Sequence, residues 1–520
     1  MRIIVPLQGL LQGRSGLALG VIIPLLSFYF IQLRPKRSQQ QHRLNTTPAA
    51  EELPPPAAPA VTLKNEPLLH DDHLLSPQNS EEASSSSTTT IVQEATISER
   101  ALWILRSCSS EWTAVPENAY DEMLNPTGCI QLAVPINKLS LDLIQDWLCN
   151  HLSNIPGHET FLNLEEVADY EFLGGLQRVR TVLANFMGIV IGGGKRVMFD
   201  PAKVIITAGL SGAIEMLVFC LAQPGDAILI PTPYDSRFDK DIKWRTQVEI
   251  IPVPCYAHDN FSVTRGNLET AYHSALQRGM TVRAVLLSTP SYPVGNVLDR
   301  ATLQSILSFT HENSIHLISD EVYAGCVFED SDFVSVAEIL ESSECDRSRV
   351  HIIYGLSKDL GVVGFQVGVL YSWNMQVIAA ASKLTRFCGT SSHTQGILAP
   401  LLADESFIKT FLTKNHCRIT QRHRKVVTAL DAVGIKFAKS SGGLFCWIFL
   451  GHCLRSSSQE EEMRLCRYVS EEMGVHLTPG SSSCSCPEPG WFSLCFAGVD
   501  DQTLNIALQR LQKLAPGVQY

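Results

Sequence analysis

Lys358 has the setting that best suits covalent chemistry in this chain. It follows an apolar run and sits in a Gly- and Ser-rich turn, inside the stretch IIYGLSKDLGVVGFQVG at residues 352–368. A lysine amine that loses its proton in a sheltered pocket is a nucleophile toward carbonyl groups. Lysines that form a Schiff base with a phosphorylated cofactor usually have a cationic group nearby to hold the phosphate. Here, however, Gln366 stands eight residues later.

Further polar groups follow other apolar runs. Asp320 and Tyr323 lie in ISDEVY, Tyr234 ends IPTPY, and the Gly209–Ser211 turn follows KVIITA. Taken singly, each feature is ordinary, because acidic strand ends and Ser-Lys pairs are common and a surface lysine is the usual case. Their order places a phosphate-type turn, an aromatic ring, an acid and a lysine on successive strand ends, and this order indicates one site.

The elements that must position these residues alternate between strands and helices. Six apolar runs are typical of buried strands: KVIITAG, AILIPTP, VEIIPVP, RAVLLSTP, IHLISDEV and RVHIIYGLSK. Between them, SGAIEMLVFCLAQPG predicts a helix with a Pro-Gly stop, and DRATLQSILSFTHENS predicts a helix capped by Asp299. β-branched strands separated by helices predict an α/β fold with a parallel sheet covered on both faces.

From about residue 125 to its end, the chain resembles the fold-type-I pyridoxal-phosphate enzymes, and within them the plant aminocyclopropane-carboxylate synthases and their aminotransferase-like relatives. The stretches that carry the resemblance are GIVIGGGKRVMFDP, FCLAQPGDAILIPTPY, KWRTQVEIIPVPC, GLSKDLGVVGF, SGGLFCWIFL and CPEPGWFSLCFAGVD. The N-terminal RIIVPLQGLLQGRSGL is similar to the membrane-associated aminotransferase-like branch. The resemblance implies a large domain with a mostly parallel seven-stranded sheet, a small α/β domain, pyridoxal 5'-phosphate, and amino-acid and 2-oxo-acid substrates.

The resemblance also assigns roles to matching positions. Lys358 would link to the cofactor and shuttle the substrate's α-proton, and Asp320 would pair with the pyridine nitrogen. Tyr323 would hydrogen-bond the ring's phenolic oxygen, and Tyr234 would stack on the ring; a buried aromatic residue is the alternative for each tyrosine taken singly. The cofactor-binding set is completed by a phosphate turn, the lysine turn and a tyrosine that reaches the neighbouring subunit of a homodimer: Gly209, Leu210, Ser211, Ser357 and Tyr170.

Four positions depart from the family pattern. Gln366 replaces the phosphate-binding arginine, Gly355 replaces the first serine of the lysine motif, and Tyr292 replaces an asparagine that bonds the ring oxygen. Ser493 replaces the arginine that binds the substrate carboxylate. Because a charge-assisted contact contributes about 1.5–3 kcal/mol, each lost arginine weakens its ligand by roughly tenfold to a hundredfold.

The segment LAVPINKL departs as well. Ile136 and Lys138 replace a glutamate and a glutamine of the synthases, so recognition of a sulfonium substrate has no evident basis and we expect no true synthase activity. Arg237 stands where the family commonly has a glycine; it is either a solvent-facing arginine or a compensating cofactor contact. The chain is therefore interpreted as an aminotransferase, with a catalytically impaired scaffold or regulatory member of the same fold as the alternative.

Composition excludes several other classes. A net charge of -11 without a basic stripe argues against nucleic-acid binding. The 15 cysteines are scattered and often lie in apolar runs, which is typical of reduced core thiols. Cys484 and Cys486 lack the CxxC pair and histidines that a zinc site needs, so no metal is expected.

The N-terminal part predicts a membrane anchor. Residues 16–33 form an uncharged apolar segment followed by Arg34, Lys36 and Arg37, long enough for one span, with a cleaved signal peptide or organelle presequence as alternatives. The following polar sequence predicts a disordered linker. The flanking charges weakly favour a body facing the cytosol. The predicted organisation is an anchor, a linker, a small-domain part, a large cofactor domain and a second small-domain part, at residues 1–34, 35–98, 99–165, 166–384 and 385–520.

Deletion of residues 1–34 should release the protein from membranes without unfolding it, because the linker carries few core-forming residues. Fractionation in high salt, with circular dichroism of the released protein, checks this expectation. A truncated protein that still sediments with membranes would contradict it.

Overall fold

The computed structural model describes residues 118–153, 173–192, 197–328 and 332–516, with a few isolated positions between 98 and 104. Its strands, in chain order, are β1 Ile130–Gln131, β2 Val204–Ala208, β3 Ala227–Pro231, β4 Glu249–Val253, β5 Val282–Ser288, β6 His316–Asp320, β7 Val350–Gly355, β8 Val367–Ser372, β9 Lys436–Phe437, β10 Phe445–Phe449, β11 Val475–His476, β12 Thr478–Pro479 and β13 Trp491–Cys495.

Helices separate many of these strands in the described part of the chain. In chain order they are α1 Leu141–Ser153, α2 Gln177–Ile191, α3 Gly209–Leu221, α4 Arg237–Thr246, α5 Arg265–Gln277, α6 Arg300–Glu312, α7 Val336–Glu341, α8 Leu356–Asp359, α9 Met375–Cys388, α10 Ser392–Ala403, α11 Glu405–Ala432, α12 Gln459–Glu471, α13 Gly480–Ser483 and α14 Asp501–Leu511. Both predicted helices are confirmed as α3 and α6. Asp299 caps α6, because its Oδ1 accepts a hydrogen bond from the Thr302 amide at 2.7 Å.

The main sheet has seven strands in the order β2-β8-β7-β6-β5-β3-β4. It contains all six predicted strands, and the expectation of a mostly parallel sheet is confirmed. The seventh strand, β8, runs antiparallel to both of its neighbours. Its pairing brings Ala208 opposite Val367 and Gly355 opposite Gly368, so the carboxyl ends of β2 and β7 meet the start of β8.

The strands of this sheet are buried on both faces. Along β2, Ile205 packs with α3, α4 and α9, whereas Val204 and Ile206 pack into the larger core on the other face. This alternation follows from the twofold period of a strand, and continuous apolar sequence is what two covered faces require. The helices thus close both faces and leave the strand ends as the place where polar groups collect.

A second, four-stranded sheet lies in the C-terminal part of the chain, in the order β12-β13-β10-β9. The N-terminal flank joins this part because β1 pairs in parallel with β11, with Ile130 opposite Val475. Strands from both flanks of the large sheet therefore associate, as a small domain made of two chain segments requires. The proposed bounds of the domains stay a prediction.

Several predictions fall on residues that are not described. The apolar segment at 16–33, the linker and Tyr170 lie outside the described residues. Within the described part of the chain, no helix combines the length and the apolar character that a membrane crossing needs. The cysteines described there are free thiols, and that same part holds no His, Cys, Asp or Glu group suited to a metal ion.

Candidate active site

Lys358 lies where β7 ends. The chain leaves the strand at Gly355 and forms the single turn α8, which directs Lys358 into the interior, where it is 5% exposed. Its Nζ donates a hydrogen bond to the Pro135 carbonyl oxygen at 2.7 Å. Burial, aided by the positive charge of Arg237, lowers the pKa of Lys358 to about 7. A substantial fraction of the amine is therefore neutral near pH 7, as a nucleophile or base must be.

Two asparagines that sequence reasoning missed fix the lysine turn. Asn137 donates through Nδ2 to the Lys358 carbonyl oxygen at 2.9 Å and to Asn415 Oδ1 at 3.2 Å. Asn415 in turn donates to the Asp359 carbonyl oxygen at 3.3 Å. Both asparagines are buried, so these bonds satisfy polar atoms that would otherwise be costly. Asn137 lies in the segment already singled out for Ile136 and Lys138, but nothing in the sequence points to Asn415.

Asp320 ends β6 beside β7. Its Oδ2 accepts a hydrogen bond from the Ser288 hydroxyl at 3.1 Å, and its Oδ1 accepts one from the Val322 amide at 3.2 Å. The side chain is buried, and this burial raises the pKa of Asp320 to about 6. The carboxyl group remains largely ionised at neutral pH, and it is suited to pair with a protonated nitrogen.

Tyr323 follows Asp320 by three residues and faces the lysine. Lys358 Nζ lies 5.5 Å from the centroid of the Tyr323 ring. The Tyr323 hydroxyl is buried and has no hydrogen-bond partner among the described residues. Burial raises the pKa of Tyr323 well above its usual value, so the phenol keeps its proton. A buried donor without a partner beside a reactive lysine marks a place for an acceptor atom of a ligand.

The predicted phosphate turn begins α3. Gly209 has a φ of +76°, and its amide donates to the Gln366 carbonyl oxygen at 2.9 Å. The positive φ favours glycine here, and a Cβ at this position would lie 2.8 Å from Oε1 of the Gln366 side chain. Leu210 is half-buried and Ser211 is exposed. The Ser211 hydroxyl hydrogen-bonds Asp241, an acid beside the turn whose pKa burial raises to about 6.

Gln366 lies beside this turn, at the position that the resemblance gives to a phosphate-binding arginine. It precedes β8 with a φ of +51°, and its Nε2 donates to the Val363 carbonyl oxygen at 3.2 Å. The side chain therefore brings a neutral amide to the turn. Gly355 has extended backbone, and a Cβ there would lie 3.1 Å from the Val367 carbonyl oxygen, so a serine would fit tightly. Ser357 lies next to Lys358 on α8 and is half-buried.

Tyr234 lies in the core between the sheet and α3 and α4. Its ring is stacked on Phe238 with centroids 6.4 Å apart, and its hydroxyl donates to Asp239 Oδ2 at 3.5 Å. Burial raises the pKa of Tyr234 to about 12. Among the described contacts, Tyr234 has none to Lys358, Asp320 or Tyr323. Its role as a platform for a ring stays a prediction that these contacts do not support.

Asp235 and Arg237, which follow Tyr234 in the chain, form an ion pair beside the site. The Asp235 carboxylate accepts from Arg237 Nε at 2.9 and 3.0 Å, from Arg237 Nη2, and from the Arg237 amide at 3.0 Å. Although burial opposes ionisation, the ion pair lowers the pKa of Asp235. Asp235 interacts electrostatically with Lys358, and Arg237 does so with the hydroxyls of Tyr323 and Tyr292. Arg237 thus lies beside the site with 51% of its side chain exposed, and its contact with a cofactor stays a prediction.

Neutral groups occupy the place of the family's carboxylate-binding arginine. Ser493 lies in the middle of β13, opposite Trp447 of β10 and Thr478 of β12, and it is 1% exposed. The Tyr292 hydroxyl hydrogen-bonds the side chains of Ser493 and Thr478, and the Tyr292 ring packs edge-on against Phe445. Burial raises the pKa of Tyr292 well above its usual value, so this cluster carries no charge.

Comparison with known proteins assigns the chain to a family. A profile described as "Aminotransferase class I and II" matches residues 135–511, and the chain belongs to this family. Members of the family are pyridoxal-phosphate-dependent. The expectation of a class I/II aminotransferase-like chain is thereby confirmed.

The similar proteins carry two kinds of name. The chain is 40% identical to 1-aminocyclopropane-1-carboxylate synthase 6 of Oryza sativa, with 99% of this chain and 93% of that protein covered. It is also 40% identical to the probable aminotransferase ACS12 of Arabidopsis thaliana, with 99% of both chains covered. A solved aspartate aminotransferase mutant of Thermus thermophilus has a TM-score of 0.65 and 18% identity over 81% of this chain and 100% of that chain, and it supports the fold alone.

The residues of the site fit pyridoxal 5'-phosphate. The unpartnered Tyr323 hydroxyl, the buried Lys358 amine and the Asp320 carboxyl group are three groups that such a ring requires, and the Gly209 turn has no Cβ to obstruct a phosphate. Gln366 brings no cation to the phosphate turn, and the contacts of Tyr234 are with Phe238 and Asp239, so the fit is better at the polar atoms of the ring than at its face or at the phosphate.

The lowered pKa of Lys358 predicts a distinct pH dependence of stability. An unfolded lysine has a pKa of about 10.4, so between pH 7 and 10 the unfolded cofactor-free protein binds more protons than the folded one. The free energy of unfolding should therefore gain up to about 1.4 kcal/mol per pH unit across this range from Lys358. Urea denaturation of wild type and Lys358→Met should show the advantage of the variant shrinking as pH rises. Lys383→Met, which changes an exposed lysine of α9, is the control, and parallel curves for wild type and Lys358→Met would contradict the prediction.

Proposed function

We propose that this chain is a pyridoxal-phosphate-dependent aminotransferase that moves an amino group from an amino acid to a 2-oxo acid. The observation that carries the proposal is the meeting of Lys358, Asp320 and Tyr323 in one buried site, with the Tyr323 hydroxyl left without a protein partner. Two segments supply these groups, the end of β6 with the turn after it and the helical turn after β7, so their convergence depends on the neighbouring positions of these strands in the sheet.

Each group of the chain would hold one part of the cofactor. Lys358 would hold the aldehyde carbon, Asp320 the pyridine nitrogen, Tyr323 the phenolic oxygen and the Gly209–Ser211 amides the phosphate. When bound, pyridoxal phosphate accepts the electron pair released as a proton leaves the substrate's α-carbon. That is the chemistry that transamination requires, and no side chain of the protein supplies it.

The residues of the chain then do two things. The Lys358 amine would take the proton from the substrate's α-carbon and pass it on, because its pKa of about 7 suits both uptake and release of a proton near neutral pH. The Asp320 carboxylate keeps a ring nitrogen protonated, which requires the ionised acid and therefore a pH above about 6. Both requirements predict loss of activity as pH falls below 7.

Aminocyclopropane-carboxylate synthesis is the activity named for several relatives, and we propose that this chain lacks it. Ile136 adjoins Pro135, the residue that binds Lys358, and it is half-buried, whereas Lys138 is exposed. An apolar and a cationic residue offer nothing that attracts a sulfonium group. The proposal therefore rests on the local chemistry of this segment, because the overall identity of about 40% does not separate the two activities.

A non-catalytic scaffold is the second candidate, and the four neutral replacements favour it. Gln366 offers a neutral amide in place of a cation, Gly355 brings no hydroxyl to the lysine turn, and Tyr292 with Ser493 fills the substrate-carboxylate position. In either case we propose a homodimer, with Tyr170 reaching the partner's phosphate, and an N-terminal membrane anchor with the body facing the cytosol. A monomer by light scattering at micromolar concentration would contradict the dimer.

Reconstitution separates these candidates. Wild-type protein incubated with pyridoxal phosphate and dialysed should retain a visible absorption band that Lys358→Ala loses. Amino donors with a 2-oxo acid should then yield the exchanged products, and a sulfonium amino acid should yield no aminocyclopropane carboxylate. A band without any transamination would favour the scaffold, and cyclopropane product would establish a synthase.

Gln366→Arg should tighten pyridoxal phosphate by about 1.5–3 kcal/mol, because a charged donor fork would replace a neutral amide beside the phosphate turn. The effect should be visible as slower loss of the absorption band on dialysis. Gln366→Glu is the matched control of opposite charge, and it should lose the cofactor faster than wild type. Unchanged or faster loss from Gln366→Arg would mean that the turn holds its phosphate without this position.

A further inference from the structure

An aminotransferase site needs a cation for the α-carboxylate of its substrate, and position 493 does not supply one. The Ser493 side chain is buried and hydrogen-bonded to the Tyr292 phenol, which occupies the space in front of it. This inference rests on the proposed transamination, since an amino acid must be oriented as well as bound. Another group of the chain must therefore bind the carboxylate.

Arg237 has a free binding edge. A guanidinium carries five N–H donors, arranged so that two different edges can each bind a carboxylate. Asp235 occupies the edge formed by Nε and Nη2. Among the described residues no acceptor meets the edge formed by Nη1 and the second hydrogen of Nη2. The Arg237 side chain is 51% exposed while that of Asp235 is 14% exposed, so the free edge faces the open side of the pair.

The position of Arg237 is set by two features. Arg237 is the first residue of α4. The Asp235 carboxylate accepts hydrogen bonds from both the amide and the side chain of Arg237, which fixes the guanidinium relative to the start of the helix. From there the guanidinium interacts with the hydroxyls of Tyr323 and Tyr292, and Tyr292 in turn contacts Ser493. Tyr292 thus links the arginine to the position of the missing cation.

We propose that Arg237, held in place by Asp235, is the specificity-determining residue that binds the α-carboxylate of the amino-acid substrate through its free Nη1 and Nη2 edge. Asp235 is the positioning residue. The substrate class that follows is amino acids with a free α-carboxylate, in preference to simple amines.

The acidic surroundings of the phosphate turn favour this assignment over a phosphate contact. Asp241 lies one helical turn beyond Arg237 and hydrogen-bonds Ser211, so the phosphate side of the arginine already faces an acid. The free edge is better matched by a singly charged carboxylate on the side of Tyr292 and Tyr323. The cofactor phosphate remains the competing anion, and the experiment must distinguish the two.

The test compares two ligands on the cofactor-loaded protein. L-alanine and ethylamine share an amine and a carbon skeleton but differ in the carboxylate, and each is titrated against the visible spectrum of the bound cofactor. Arg237→Gln should weaken alanine by roughly tenfold to a hundredfold and leave ethylamine unchanged. Arg237→Lys should retain part of the alanine affinity, because the charge remains while the fork is lost. Asp235→Asn should weaken alanine less than Arg237→Gln does.

Arg245→Gln is the matched control, since Arg245 lies on the same helix and pairs with Glu215 at 3.5 Å. It should change neither titration. Equal weakening of alanine and ethylamine by Arg237→Gln, or no weakening of either, would overturn the proposal. Faster cofactor loss from Arg237→Gln on dialysis, with alanine affinity unchanged, would assign the arginine to the phosphate and also overturn it. If the wild-type protein shows no cofactor band, the proposed function itself fails, and this spectrum is recorded before any variant is compared.

Discussion

The enclosure of the Lys358 amine against the Pro135 carbonyl group is the constraint on which the rest of the site depends. A charged amine in a dry interior is unfavourable, and its pKa falls until the neutral form is populated. This enclosure needs the end of β7 on one side and the N-terminal flank on the other. The asparagine bridge from Asn137 to Asn415 then ties both to the long helix α11. Reactivity of the lysine is thus a product of tertiary packing.

Burial shifts the pKa values of two groups of the site toward neutral pH. Burial raises the pKa of Asp320 and lowers that of Lys358, so an acid and a base with ordinary pKa values more than six units apart come within about one unit of each other. Near neutral pH the Asp320 carboxyl group is therefore largely ionised, whereas part of the Lys358 amine is neutral and able to take a proton. The Asp235 and Arg237 pair, in contrast, is fixed in its charged form and serves orientation.

The sequence predicted the frame of the fold well, because buried strands such as β5 and β6 are continuous apolar runs and because Asp299 is a strong helix cap. The convergence of Lys358, Asp320 and Tyr323 could also be predicted, since parallel strands end at one edge. The antiparallel β8 was not among the six predicted strands, although its apolar run VGVLYS directly follows Gln366.

The position of Asp235 beside the site was missed because Tyr234 and Asp235 lie in a turn. A turn has no regular side-chain period, so the sequence does not indicate which of the two side chains faces the site. Long-range bonds such as that of Asn415 leave no local signal.

The segment from residue 130 to 137 connects two places that are distant in the chain. Its first residues pair with β11, its Pro135 accepts the lysine's hydrogen bond, and its Asn137 holds the lysine turn. Loss of the Lys358 Nζ–H donor would therefore remove one of the bonds that hold this segment, whose first residues pair with β11 in a two-stranded sheet. One short segment thus joins the reactive lysine to a strand more than one hundred residues later in the chain, through main-chain and side-chain hydrogen bonds.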